Sequence, residues 1–130
     1  MQRKKILIFI IGSFLILFVK FYVRTFLKVP PVFALIRDVA PNLLSAFIMP
    51  FGMDLFLKRW IPLLNSKSLA QACLAGLLFL TCNELAQLFR VFSRTFDPYD
   101  ILFSCFGLSL SFLVYKKWFL KSVPSYYDQQ

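Results

Sequence analysis

The sequence predicts an all-α protein, a polytopic transmembrane bundle of four helices with both termini on the inner side (N-in, C-in). Three observations carry that expectation. Hydrophobic residues make up 59% of the chain and charged residues 16%, against roughly 45–50% and 25% in soluble domains. The apolar residues fall in long runs without strict alternation, which favours membrane helices over barrel strands. The net charge is +9, yet the basic residues gather at the ends of the apolar runs, as topology determinants and headgroup contacts do. That arrangement argues against nucleic acid as a partner.

At 130 residues the chain is one domain, with the transmembrane part expected over residues 1–121 and a polar cytoplasmic tail over 122–130. The first span is expected over residues 6–27. Arg3, Lys4 and Lys5 precede an apolar run over 6–19, the head of a signal sequence, but no small-residue cleavage site follows. An uncleaved anchor is the reading. That run falls short of the roughly 20 residues a span needs, so the helix is expected to continue. Lys20, Arg24 and Lys28 would then form one stripe that snorkels or, alternatively, binds anionic lipid or cell-wall phosphate, and Pro30-Pro31 would end the helix.

The second span, over 39–57, contains Pro41, Pro50 and Gly52, and a bend is expected near Pro50. Asp54 stands four residues before Lys58, the spacing of an ion pair on one helical face. The third span, over 69–91, follows Asn65-Ser66-Lys67-Ser68, where Ser66 or Ser68 is expected to cap. The fourth, over 98–119, has the sharpest start: Asp97 as N-cap, Pro98 in the first turn, and Asp100 in a capping-box-like position. Ser104, Gly107 and Ser111 recur at i, i+3 and i+7, a helix-packing seam of small residues that lets a neighbouring backbone approach.

With the N-terminus inside, the inner segments hold Arg3, Lys4, Lys5, Lys58, Arg59, Lys67, Lys116, Lys117 and Lys121. The outer segments hold only Lys20, Arg24, Lys28, Arg37, Arg90 and Arg94, so the positive-inside rule favours this orientation. The three cysteines, Cys73, Cys82 and Cys105, lie inside apolar runs without CxxC spacing, which reads as small buried hydrophobes rather than a disulfide or metal set. Histidine is absent from the sequence, removing imidazole zinc ligands and Ser-His or Cys-His dyads. No catalytic, metal or cofactor residues are expected.

One polar stretch interrupts the apolar pattern: Asn83, Glu84, Gln87, Arg90, Arg94, Asp97 and Asp100. Charge at membrane depth costs roughly 2.5–3.5 kcal/mol per group on translocon scales, so it is rare unless paired or functional. Asn83, Gln87, Arg90 and Arg94 follow a 4-3-4 spacing and share one helical face. Two readings follow. The stretch is either an ion-paired hairpin fixing the third and fourth spans, or a polar pocket opening outward. In the second, arginines hold a phosphate or carboxylate and Glu84 is a proton acceptor or hydrogen-bond anchor.

The run from Asn83 to Leu88, then Arg94-Thr95-Phe96-Asp97-Pro98-Tyr99-Asp100-Ile101, then Gly107, resembles the VanZ-like membrane proteins. Their hallmark is a Glu-x-x-Gln pair, an Arg, a Phe-Asp-x-x-Asp-like turn and a following span with Asn and glycines. Glu84, Gln87, Arg94, Asp97, Asp100 and Gly107 occupy the family positions. Ser104 stands where Asn is frequent, Ser111 where a second Gly is frequent, and Arg37–Asn42 lacks the family's early histidine. The resemblance implies a bacterial cytoplasmic (inner) membrane protein of the cell envelope, in a family with members linked to glycopeptide resistance. The expected function is non-enzymatic engagement of lipid or cell-envelope precursor headgroups at the outer leaflet, with Glu84, Gln87, Arg90, Arg94, Asp97 and Asp100 as ligand-binding residues. Membrane lipids, an anionic headgroup or cell-wall precursor, and a second copy of the chain are the partners to expect. A small proton-coupled transporter or a structural membrane subunit is the alternative.

Overall fold

The computed structural model describes residues 1–89 and 96–120. Over these residues it is all-helical, with four helices long and apolar enough to cross a membrane: α1, Gln2–Phe26; α2, Pro31–Phe56; α3, Ser66–Gln87; and α4, Pro98–Leu120. At 1.5 Å per residue the shortest is about 33 Å long, enough for a hydrocarbon core of ~30 Å. Most large apolar side chains of α1 face outward, among them Phe14, Phe18 and Phe26. Apolar surface on that scale belongs against acyl chains. The architecture is that of a multi-pass membrane protein.

Each helix starts and stops for a local reason. In α1 the five residues Val19–Val23 form a π-turn, after which the helix runs out at Leu27 in extended backbone. Lys28 therefore lies beyond the helix and cannot share a stripe with Lys20 and Arg24. The two prolines begin α2 as much as they end α1. Pro30 is the N-cap and Pro31 the first residue of α2, where a missing N–H goes unmissed. The helix thus starts well before residue 39, because Arg37 and Asp38 answer each other's charge across two hydrogen bonds of 3.0 and 3.3 Å. It runs without interruption through Pro41 and Pro50.

In α3 the cap is Asn65, not Ser66 or Ser68. The Asn65 carboxamide oxygen accepts from the Ser68 N–H at 2.8 Å, and the Asn65 N–H donates to the Ser68 hydroxyl at 3.2 Å, a reciprocal capping box. At the head of α4 the Asp97 carboxylate accepts from the Tyr99 N–H at 2.9 Å. The Asp100 N–H donates to the Asp97 carbonyl at 3.1 Å, while the Asp100 side chain turns to the bundle interior beside Asn42.

The α2–α4 pair is the centre of the bundle, with α1 packed on α2 and α3 on both central helices. Close approach comes from small residues. A Cβ at Gly107 would collide with the Leu43 carbonyl of α2, and Ser104 and Ser111 are buried on the same face of α4. Gly12 likewise lets α1 settle on Ile48. The apolar core lies toward the termini, where Phe51 and Tyr115 are fully buried with Phe119, Leu63, Leu69 and Ala72. Their rings meet at 5.3–5.8 Å between centroids, within the range of favourable aromatic pairs.

The same end holds a buried ion pair that corrects the expected Asp54–Lys58 contact. α2 ends at Phe56, two residues too early to place Lys58 on the face of Asp54. Instead Lys5 of α1 donates to Asp54 at 2.6 Å and to the Tyr115 hydroxyl at 2.7 Å. Its ammonium also lies 4.7 Å from the Tyr115 ring centroid and 5.4 Å from that of Phe119. One lysine thus ties α1 to both central helices.

Candidate functional site

At the opposite end of the bundle, away from the N-terminus, the helices splay around a polar cavity of about 510 Å³. α1 supplies Ile16, Lys20 and Arg24; α2 supplies Asp38, Pro41, Asn42 and Ser45; α3 supplies Asn83, Glu84 and Gln87; and the head of α4 supplies Asp97 and Asp100. Helical geometry explains the convergence. Lys20 and Arg24 stand at i, i+4; Asp38, Asn42 and Ser45 at i, i+4, i+7; and Asn83 and Gln87 at i, i+4, so each set presents one face.

The charges are partly matched. Asp38 accepts from the adjacent Arg37 at 3.0 Å and lies 3.6 Å from the Arg24 guanidinium of α1. The Asp100 carboxylate hydrogen-bonds with the Asn42 side chain, with the charges of Asp97, Arg24 and Asp38 around it. Glu84 on α3 is the most buried of the carboxylates lining the cavity, 7% exposed. Ser104, directly behind the cavity, turns its hydroxyl back to the Asp100 carbonyl at 2.7 Å. A space of this size holds a small polar group and several waters. Its acceptors and cations suit hydrogen bonding and charge recognition.

Of the residues singled out in the sequence, the structure brings Glu84, Gln87, Asp97 and Asp100 together on this cavity. Arg90 and Arg94 lie outside the described residues, as does the tail over 122–130. Ser104, Gly107 and Ser111 sit on the α2 side of α4 as packing residues. Sequence reasoning missed the contribution of α2 altogether. The signal was present: Asp38, Asn42 and Ser45 repeat the 4-3 spacing of a polar face within an apolar helix. Of the basic stripe read either as snorkelling or as binding anionic lipid or cell-wall phosphate, Lys20 and Arg24 line the cavity. Among the described residues no group of His, Cys, Asp and Glu side chains is placed to hold a metal ion.

Comparison with family models, with curated proteins and with solved structures finds no match to this chain.

Proposed function

We propose that this chain is a VanZ-like protein of the bacterial cytoplasmic membrane, N-in and C-in, that engages the polar headgroup of a membrane lipid or lipid-linked envelope precursor at the outer leaflet. It acts by binding rather than by covalent chemistry. The observation that carries this reading is the cavity itself: about 510 Å³ lined by ionisable and amide side chains from all four helices, at the end of the bundle that the positive-inside rule places outward.

Two features favour binding over the alternatives. A purely structural hairpin would close its charges into pairs and leave no such space. A transport path would have to cross the layer beneath the cavity, where Ala46, Ile48 and Phe51 are buried and tightly packed. Access from the bilayer is easier, because α1 and α3 pack on the central helices and share no extensive interface with each other. A headgroup whose tail stays in the membrane can enter between them.

The test uses Ser45→Cys, placed in the cavity, in a chain with Cys73, Cys82 and Cys105 replaced by alanine. In intact cells a membrane-impermeant thiol reagent added outside should modify it. Delipidated protein in detergent should react several-fold faster than the same protein with membrane lipid restored. Modification only from the inner side, or rates indifferent to lipid, would overturn the reading.

A further inference from the structure

The charges around the cavity are sorted by helix. Among the described residues of the lining, the cations Lys20 and Arg24 come from α1, and the carboxylates Asp38, Glu84, Asp97 and Asp100 come from the other three helices. Arg24 is drawn toward Asp38 at 3.6 Å. Lys20, Asp97 and Asp100 make no ion pair with any described residue. The basic and acidic walls of the cavity therefore meet at the Arg24–Asp38 pair, while Lys20 on one side and Asp97 and Asp100 on the other stay out of ion-pair contact among the described residues. Near hydrocarbon, opposite charges held apart forgo a large attraction. A ligand that carries both charges completes both walls at once.

We propose that the cavity takes a zwitterionic headgroup of the phosphoethanolamine type, its phosphate toward Lys20 and Arg24 and its primary ammonium toward Asp97 and Asp100. This rests on the headgroup reading above and narrows it to one chemistry. The kind of ammonium follows from the lining. A primary ammonium has three N–H donors and needs acceptors, which the carboxylates and the amide oxygens of Asn42 and Gln87 provide. A quaternary ammonium donates nothing and is held by aromatic faces, yet no Phe, Tyr or Trp is among the described residues of the lining. A purely anionic headgroup would satisfy Lys20 and Arg24 but would bring its charge beside Asp97 and Asp100 with no cation of its own to offset them.

The experiment titrates delipidated, full-length protein in detergent with phosphatidylethanolamine, phosphatidylcholine, phosphatidylglycerol and glucosyl diacylglycerol of identical acyl chains, and with soluble phosphoethanolamine. Occupancy is read by native mass spectrometry and by the thermal midpoint. Phosphatidylethanolamine should bind about 10-fold more tightly than the choline or glycerol lipid, a difference of about 1.4 kcal/mol. Asp100→Asn should erase the preference over phosphatidylcholine, and Lys20→Gln should weaken the ethanolamine lipid. If either variant misfolds, the wild-type ranking of lipids still decides. Competition by soluble phosphoethanolamine identifies the free compound as a sufficient ligand; binding of the lipid alone identifies the lipid, and both support the zwitterion. Equal binding of phosphatidylcholine, or tighter binding of phosphatidylglycerol, overturns it. Tightest binding of the uncharged glycolipid overturns the zwitterion but leaves the headgroup cavity standing. Binding of none overturns both.

Discussion

Replacing Lys5 with methionine removes an ammonium while keeping most of the stem that packs beside it. What remains is the Asp54 carboxylate, 9% exposed and beside the Tyr115 hydroxyl. Removing one partner of a buried pair costs about 3–5 kcal/mol, mostly because the other charge is stranded. Lys5 retains 16% side-chain exposure, and Tyr115 remains as a hydrogen-bond donor to Asp54. The loss therefore belongs near the lower bound, about 3 kcal/mol, or roughly two decades in the folding equilibrium. Lys5→Met with Asp54→Leu exchanges the pair for apolar groups against Phe51 and Phe119, and should return to within about 1 kcal/mol of the parent. Asp54→Leu alone should cost less than Lys5→Met, because a lysine near the chain start can snorkel to water. The assay is reversible unfolding in mixed micelles, followed by helical circular dichroism across the full mutant cycle. Single effects that add to within about 0.5 kcal/mol would show that Lys5 and Asp54 are not coupled, since uncoupled residues behave that way. The pair also holds α1, which carries the basic wall of the cavity, so Lys5→Met should weaken ligand retention at the far end of the bundle.

Two further outcomes follow from the packing and the caps. Gly107→Leu drives a side chain into the Leu43 carbonyl and should destabilise the protein by about 1–3 kcal/mol or more; wild-type unfolding would mean that α4 presents this face to lipid. Asn65→Ala removes the capping box with Ser68 and should cost about 1 kcal/mol, read as a lower unfolding midpoint with no change in ligand binding.

The helices were legible because membrane burial leaves a coarse signature: apolar runs punctuated by charge, proline and capping residues. The start of α4 was legible to the residue, since Asp97 and Pro98 perform a cap and a first turn that need no tertiary context. The start of α2 was not. A reading that ends a span where charge begins stops short of Arg37 and Asp38, while the backbone carries its helix straight through them to Pro31. Long-range pairing was least accessible. Asp54 has a lysine four residues away in sequence, but its partner lies 49 residues back on another helix, and only the way α1 settles on α2 through Gly12 decides between them. The cavity was half legible for a related reason. Glu84, Gln87, Asp97 and Asp100 cluster in sequence, whereas Asp38, Asn42 and Ser45 join them only once α2 is placed against α4.

The proposed occupant of the cavity is a headgroup that enters between α1 and α3. A photoreactive benzoylphenylalanine at Ile16, an apolar member of the lining, tests it in living cells. Irradiation, purification and mass spectrometry should recover the chain with one lipid or lipid-linked adduct at that position, and Lys20→Gln with Asp100→Asn should strip the adduct away while the protein remains in the membrane. Recovery of an unmodified chain, or of lipid adducts just as abundant in the double variant, would rule out headgroup binding in the cavity.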